Sequence, residues 1–161
     1  MIADFETGAV SVQQFTDTVS SLFPDNCLSN QDIVMAWQSV LGAPVAEIIH
    51  AARPLVASGR LLLASNTNPL HWRSVAACLL TSGIEAPAVL SFEVGHTKPS
   101  EKFFSAILEA DQRVGDQAIF IDDLGRNVAA ARQHGIPGRI HSDPQKTAEW
   151  LRELSAARWD S

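Results

Sequence analysis

Apolar residues in the first third of the chain recur at the three- and four-residue spacing of amphipathic helices. Ser11 and Gln14 form a capping-box pattern, in which each side chain can bind the other residue's backbone amide. Three helices are predicted here, at 12–24, 29–42 and 44–54. Pro54 is expected to kink or end the third, because it has no amide to bond the carbonyl of His50. The inward positions are predicted to be Val12, Phe15, Val19, Leu22, Ile33, Val34, Trp37, Val40, Leu41, Val45, Ile48, Ile49 and Ala52.

Beyond Arg60 short apolar runs alternate with helical segments. The runs predict strands at 61–64, 88–90, 118–121 and 138–140. The segments between and after them predict helices at 69–82, 99–110, 124–134 and 144–156. In the first of these helices the apolar face is predicted to consist of Trp72, Val75, Ala76, Leu79 and Leu80. Such alternation is typical of an α/β protein, in which a parallel sheet is covered by helices on both faces.

Polar residues follow three of these strands. Ser65 and Asn66 come directly after the first, Asp122 and Asp123 after the third, and Lys98 follows the second by a loop. Since ligands of parallel sheets bind beyond the carboxyl ends of the strands, these groups are expected at one edge. Paired carboxylates suit Mg²⁺, while hydroxyl, amide and ammonium groups suit phosphate. Together they are the supporting parts of a phosphoryl-transfer site.

Each cluster also has a simpler interpretation. Ser65 and Asn66 alone are the kind of residues that cap the next helix. Lys98 alone is an ordinary solvated lysine, and Asp122 and Asp123 alone can complement a helix dipole. The order of the clusters at successive strand ends favours the functional interpretation.

Composition and charge narrow the choice of partners. The chain has 161 residues and a net charge of −6, with no run of Lys and Arg, which argues against nucleic acid. The start has no basic or apolar segment typical of a signal peptide, and no apolar run is long enough to span a bilayer, so no membrane partner is predicted. Only Cys27 and Cys78 are present, which predicts no disulfide framework and a cytoplasmic location.

Three segments together resemble the second, third and fourth motifs of haloacid-dehalogenase-like hydrolases. These are 61–68, 93–100 with the following Phe103-Phe104, and 119–131. The resemblance covers about 43–150, and the first residues are similar to part of that family's small helical cap. It implies a partial cap at 1–42 and a core at 43–161, with a Rossmann-like sheet. The subgroup with this cap contains sugar-phosphate phosphatases and 2-haloacid dehalogenases.

The resemblance implies roles by position. Ser65 corresponds to the hydroxyl that binds the transferring phosphoryl group, with Asn66 beside it. Lys98 corresponds to the lysine that steadies nucleophile and phosphate. On the metal side Asp122 corresponds to the Mg²⁺ ligand, with support from Asp123 and Asn127. A small phosphorylated molecule is the implied substrate.

The chain departs from the family at its start. The family begins with an apolar strand ending in Asp-x-Asp, whose first aspartate is the nucleophile. Asp4-Phe5-Glu6 has the wrong flanks, because no apolar strand precedes it and a glycine and a capping box follow. A central strand, between those ending at Ser65 and Asp122, is therefore expected to be missing.

Three hypotheses remain open. The first is a Mg²⁺-dependent phosphatase whose given sequence lacks its start. The second is a non-catalytic binding or regulatory protein, in which a homo-oligomer or a partner segment fills the missing strand. The third is a phosphoacceptor signalling domain, although there the acidic pair comes early and the lysine last. Whether the chain is an enzyme stays open, since without the nucleophile little turnover is expected.

Overall fold

A computed structural model describes residues 1–23, 28–111 and 117–157 of the chain. This part contains nine helices and four strands. The helices are α1 (Ile2–Glu6), α2 (Val12–Ser21), α3 (Asn30–Gln38), α4 (Ala46–Ala57), α5 (Pro69–Thr81), α6 (Ser91–Val94), α7 (Glu101–Ala110), α8 (Gly125–Gln133) and α9 (Pro144–Ala156). The strands are β1 (Leu63–Ser65), β2 (Ala88–Leu90), β3 (Phe120–Asp122) and β4 (Gly138–Ile140). None of the described helices is long and apolar enough to cross a membrane.

The strands pair in parallel, as predicted. β1 lies beside β2 with Leu63 opposite Ala88, and β3 lies beside β4 with Phe120 opposite Gly138. The α/β class and the parallel pairing are therefore confirmed. Within the described residues the four strands form two separate two-stranded sheets rather than one continuous sheet.

Each pair of strands has an edge that faces away from its partner. The Leu63 amide donates to the Pro87 carbonyl beside β2 at 2.9 Å. Because the amide and carbonyl directions alternate along a strand, the backbone groups of Leu62 and Ala64 point to the opposite edge. By the same argument those of Ile121 point away from β4. No hydrogen bond from another described residue reaches the backbone of Leu62 or Ile121.

An apolar cavity of about 640 Å³ separates these two open edges. Both strand segments and the flanking helices contribute to its wall. The lining includes Leu61, Leu62, Leu63, Ala64, Ile119, Phe120 and Ile121 from the strands, with Ile48, Leu55, Ile107 and Leu151 from the helices. The cavity therefore lies where the sequence analysis expects a central strand to be missing.

The buried core consists of three clusters. One joins β2, β3, α7 and α8 around Phe103, Phe104 and Val128. A second forms mainly where α4 packs on α9, around Leu55 and Ala148. The third contains Phe5, Phe15, Ile33 and Leu70, and it joins the amino-terminal helices to α5.

The helices of the first third follow the predicted order but not all the predicted bounds. Ser11 caps α2 as expected, and its hydroxyl accepts from the Gln14 amide at 3.2 Å. Pro24, where that helix was expected to stop, lies outside the described residues, as does Cys27. The predicted end of the second helix is wrong, because α3 ends at Gln38, four residues before Gly42.

Pro54 was expected to kink or end the third helix, and the structure shows that it does not end it. α4 continues through Pro54 to Ala57. The proline removes the donor that would reach the His50 carbonyl, but His50 is exposed, so that oxygen can bond water.

Several apolar residues predicted to face the interior are exposed. Leu22, Val40 and Leu80 are 63%, 71% and 61% exposed, and Val45 is also exposed. Val40 lies beyond the end of α3. Leu80 is about 100° around α5 from Leu79, and only Leu79 packs against the core. Two short helices, α1 and α6, were not predicted at all.

Candidate phosphate and metal site

β1 ends in a hydroxyl without a structural role, that of Ser65, and the loop after it contains a helix cap. The Asn68 side chain caps α5, because its Oδ1 accepts from the His71 amide at 3.0 Å. The Ser65 hydroxyl is half-buried and makes no hydrogen bond to any described residue. The capping interpretation therefore applies to Asn68, and the Ser65 hydroxyl is free to bind a ligand.

The two-stranded sheets β1–β2 and β3–β4 are called the two half-sheets below. Lys98 joins them at their carboxyl ends. Its ammonium donates to the Ala64 carbonyl of β1 at 2.7 Å and to Asp122 Oδ2 of β3 at 2.8 Å. The residue is only 9% exposed, and the rings of Phe103 and Phe120 lie 5.9 and 5.5 Å from Nζ. Lys98 is therefore not the solvated surface lysine of the simpler interpretation.

Both polar atoms of the Asn66 side chain bind the backbone of Lys98. Oδ1 accepts from the Lys98 amide at 2.7 Å, and Nδ2 donates to the Lys98 carbonyl at 3.0 Å. The loops after β1 and β2 are thus tied together at the lysine. The Asn66 side chain has no such contact with the metal-side residues.

Asp122 is surrounded by donors. Its Oδ1 accepts from the Leu124 amide and from Asn127 Nδ2, both at 2.9 Å, while Oδ2 accepts from Lys98. Burial is the largest single influence on the pKa of this carboxyl and raises it. The hydrogen bond from Lys98, the two others and the Lys98 charge together outweigh burial, so the pKa of Asp122 lies below its ordinary value. Asp122 is consequently an anion at neutral pH.

The oxygen atoms near Asp122 suit a hard cation. Asn127 Oδ1 is buried and has no partner among the described residues, although its Nδ2 is bonded to Asp122. Asp123 follows Asp122 in the sequence and is exposed. No group of three or more His, Cys, Asp or Glu side chains gathers in the described part of the chain. The donors present fit Mg²⁺, which is often held by one or two carboxylates and keeps several waters.

Ser91 is a site residue that the sequence analysis missed. Its hydroxyl is fully buried, accepts from the Thr67 amide and donates to the Thr67 carbonyl, each at 2.9 Å. A second bridge thus joins the loop after β1 to the start of α6, which directly follows β2. The signal was available in the sequence, because Ser91 follows an apolar strand just as Ser65 does.

The amino-terminal helices α1–α3, called the helical segment below, are attached to the loop after β1 through Trp37. Its Nε1 donates to Asn68 Oδ1 at 3.3 Å, and its ring stacks on His71 at a centroid distance of 5.2 Å. The His71 ring also bonds the Trp37 carbonyl at 2.8 Å. The end of α3 is therefore fixed to the start of α5.

Known proteins resemble this chain over most of its length. No protein-family model matches it. A D-ribitol-5-phosphate phosphatase of Bacteroides thetaiotaomicron is 24% identical over 162 residues, which cover 94% of this chain and 75% of that protein.

Solved structures show the same architecture. A predicted haloacid-dehalogenase-like hydrolase of Porphyromonas gingivalis matches with a TM-score of 0.80 and 25% identity, over 96% of this chain and 78% of that one. A haloacid-dehalogenase family enzyme of B. thetaiotaomicron, in complex with magnesium and inorganic phosphate, matches with a TM-score of 0.77 and 22% identity. That match covers 98% of this chain and 76% of the enzyme.

The fold and the strand ends thus define an α/β protein with a Rossmann-like arrangement and polar groups at the carboxyl ends of its parallel strands. The resemblance to the haloacid-dehalogenase-like hydrolase superfamily is confirmed by these relatives, and the chain has that superfamily's fold.

Proposed function

We propose that the chain is the phosphate- and magnesium-binding part of a phosphatase that acts on a small phosphorylated molecule. The observation that carries the proposal is the Lys98 ammonium, which contacts the ends of both β1 and β3. Hydroxyl, ammonium and carboxylate groups thereby meet at one edge. The relatives support the proposal, since the similar curated protein is a D-ribitol-5-phosphate phosphatase and a similar solved enzyme structure contains magnesium and inorganic phosphate.

The proposed roles divide between phosphate and metal. On the phosphate side are the Ser65 hydroxyl, Asn66 beside it, and the Lys98 charge, which neutralises a phosphoryl oxygen. On the metal side Asp122 is the first ligand, with Asp123 and Asn127 supporting it. A bound Mg²⁺ would neutralise negative charge that develops on the phosphoryl group. The division into a partial cap at 1–42 and a core at 43–161, and the cytoplasmic location, stay predictions.

The 161 residues are proposed to hydrolyse phosphate esters slowly or not at all by themselves. Catalysis of this type depends on a covalent nucleophile, and no apolar strand ending in Asp-x-Asp occurs in them. Asp4, the earliest candidate, lies exposed on α1 rather than at a strand end. Loss of a nucleophile commonly costs several orders of magnitude in rate.

Phosphate-binding measurements test the proposed site residues, and hydrolysis assays test the proposed lack of turnover. Inorganic phosphate is titrated calorimetrically into the pure chain with and without Mg²⁺, and a broad panel of phosphate esters is assayed. We expect Mg²⁺-dependent phosphate binding that weakens by about tenfold in Ser65→Ala and in Asp122→Asn, with turnover near background. Ser105→Ala, an exposed serine of α7, serves as the control. Equal phosphate binding by all the variants would contradict the assignment.

A second candidate function is favoured by the cavity between the two half-sheets. A non-catalytic protein that retains a phosphate and metal pocket could bind an extended segment of a partner, or of a second copy, in this cavity. The open edges at Leu62 and Ile121 supply the backbone groups that such a segment needs. Clear phosphate-ester turnover by the pure chain would exclude this candidate.

A further inference from the structure

The side chain of Asn66 is held in a reciprocal bridge rather than directed to the solvent side of the site. Its acceptor and one of its donor hydrogens are used on one residue, Lys98, at 2.7 and 3.0 Å. An amide side chain has two hydrogens on nitrogen and two lone pairs on oxygen, so some capacity remains. Its orientation, however, is determined by the Lys98 backbone.

The backbone of Lys98 in turn determines where its ammonium lies. The ammonium must meet two groups from different half-sheets, the Ala64 carbonyl and the Asp122 carboxylate. A lysine side chain has four rotatable bonds and loses much conformational entropy when it is held in one position. A backbone fixed at both its amide and its carbonyl lowers the number of positions that the ammonium can sample.

We infer that Asn66 is a positioning residue, which acts on the phosphate through Lys98 and not as a side-chain ligand. The inference deepens the proposed function and rests on it for the statement about phosphate. The contact of Asn66 with a phosphate group is then made by its backbone amide near the start of α5, while its side chain sets the position of the lysine.

The Ser91 bridge supplies a matched comparison. The Ser91 hydroxyl and the Asn66 side-chain amide each make two hydrogen bonds between the loop after β1 and the segment that follows β2. Only the Asn66 bridge reaches Lys98. Ser91→Ala therefore loosens these two segments without removing a contact to the lysine, whereas Asn66→Ala removes both bonds to its backbone.

The first test observes the lysine directly and needs no phosphate. Lys98, Lys102 and Lys146 are the three lysines of the chain, and the other two are exposed. In ¹⁵N-lysine-labelled protein, the buried, hydrogen-bonded ammonium of Lys98 is expected to give a slowly exchanging signal that Lys98→Met removes. Asn66→Ala should shift or broaden this signal, and Ser91→Ala should leave it near its wild-type position. An unchanged signal in a folded Asn66→Ala protein would overturn the inference.

A double-mutant cycle on the affinity for inorganic phosphate distinguishes positioning from direct contact. Asn66→Ala is expected to weaken binding by about tenfold in the wild type and to have little further effect in Lys98→Met. Additive losses would show that the side chain is an independent ligand and would overturn the inference. If Asn66→Ala does not fold, Asn66→Ser replaces it, because the shorter, uncharged side chain stays polar but cannot make both bonds to the Lys98 backbone. A chain that binds no phosphate refutes the proposed function, while the ammonium signal still decides the role of Asn66.

Discussion

The ammonium of Lys98 holds together groups that belong to separate strands. Its bond to Asp122 is a buried ion pair, in which the residue exposures are both 9%. Removing one partner of such a pair leaves an uncompensated charge, which commonly costs about 3–5 kcal/mol. The same ammonium occupies Oδ2 of Asp122, while two donors occupy Oδ1, so a metal ion has to share this carboxylate with Lys98.

Lys98→Met is therefore predicted to raise the affinity for Mg²⁺ although it destabilises the metal-free protein. The substitution removes a unit positive charge that contacts the proposed metal ligand Asp122 at 2.8 Å, and Asp122 Oδ2 gains a free lone pair. We expect Mg²⁺ binding to strengthen by about tenfold and phosphate binding to weaken. Calorimetry measures both, and the melting temperature should depend more strongly on Mg²⁺ than in the wild type.

Lys102→Met is the control for this prediction. Lys102 is an exposed lysine on α7, four residues from Lys98, and it makes no ion pair with the described residues. Its substitution removes the same charge without freeing Asp122. A similar rise in Mg²⁺ affinity in both variants would indicate a change in net charge only, and a fall in Lys98→Met would contradict the shared-carboxylate argument.

At the scale of elements, the amino-terminal helices are packed closely on the core at Gly8. The Gly8 backbone has φ of +72°, and a Cβ atom there would lie 2.2 Å from the carbonyl oxygen of Phe92 in α6. Such a distance is far inside van der Waals contact, so a side chain could be accepted only if the two segments separated. Gly8 thus allows the turn between α1 and α2 to contact α6, next to the Ser91 bridge.

Gly8→Ala is predicted to destabilise the protein more than Gly59→Ala does. Gly59 has a similar φ of +65° but no heavy atom within 4 Å of a built Cβ, so it reports the cost of the left-handed conformation alone. That cost is about 1–2 kcal/mol, and the clash at Gly8 should add at least about 1 kcal/mol. Chemical denaturation measures both.

Amide exchange shows where the Gly8→Ala destabilisation acts. Faster exchange at the buried Phe15 of α2, with unchanged exchange at Phe104 of the core, would indicate that the helical segment detaches. Equal losses of stability in the two glycine variants would contradict the steric argument, since both carry the same conformational penalty.

At the scale of the whole molecule, two half-sheets face each other across an apolar cavity. Buried backbone groups normally have partners, and open strand edges are templates for another strand. The cavity is lined by Leu62 on one side and Ile121 on the other, and Lys98 closes its polar end. The arrangement suits an extended apolar segment, which would give both edges a neighbour.

An apolar peptide in an extended conformation is predicted to bind there and to raise the melting temperature. The cavity wall includes residues 61–64 and 118–122, so an extended segment of about five residues matches the length of these strand segments. Hydrogen exchange should slow at the amides of Leu62 and Ile121, which face the cavity, and not at Leu63, which is already bonded toward β2.

Proline supplies the controls on both partners. Leu62→Pro removes a donor that points into the cavity and leaves the pairing of β1 with β2 intact, so the variant should fold and bind the peptide more weakly. A peptide with a central proline should also bind more weakly. Undiminished peptide binding in both controls would show that the cavity binds apolar side chains without backbone hydrogen bonds to the strands.

The sequence determined the order of the strands and longer helices and most of the residue types of the site. Apolar periodicity placed α2, β2, β4 and α9 at or near their observed bounds, because the spacing of apolar residues and the capping residues are local features of the sequence. The order of Ser65, Lys98 and Asp122 at strand ends likewise follows from alternation alone, since parallel strands bring their carboxyl ends to one edge.

Only the tertiary structure decided which of these groups bond to one another. The continuation of α4 through Pro54 depends on packing against α9, which outweighs one missing hydrogen bond. The hydrogen bonds between the Asn66 side chain and the Lys98 backbone join residues 32 positions apart, and no local sequence pattern encodes such a pairing. Spacing along the chain reports one element at a time, whereas a site at the edge of a sheet forms from elements that meet only after folding.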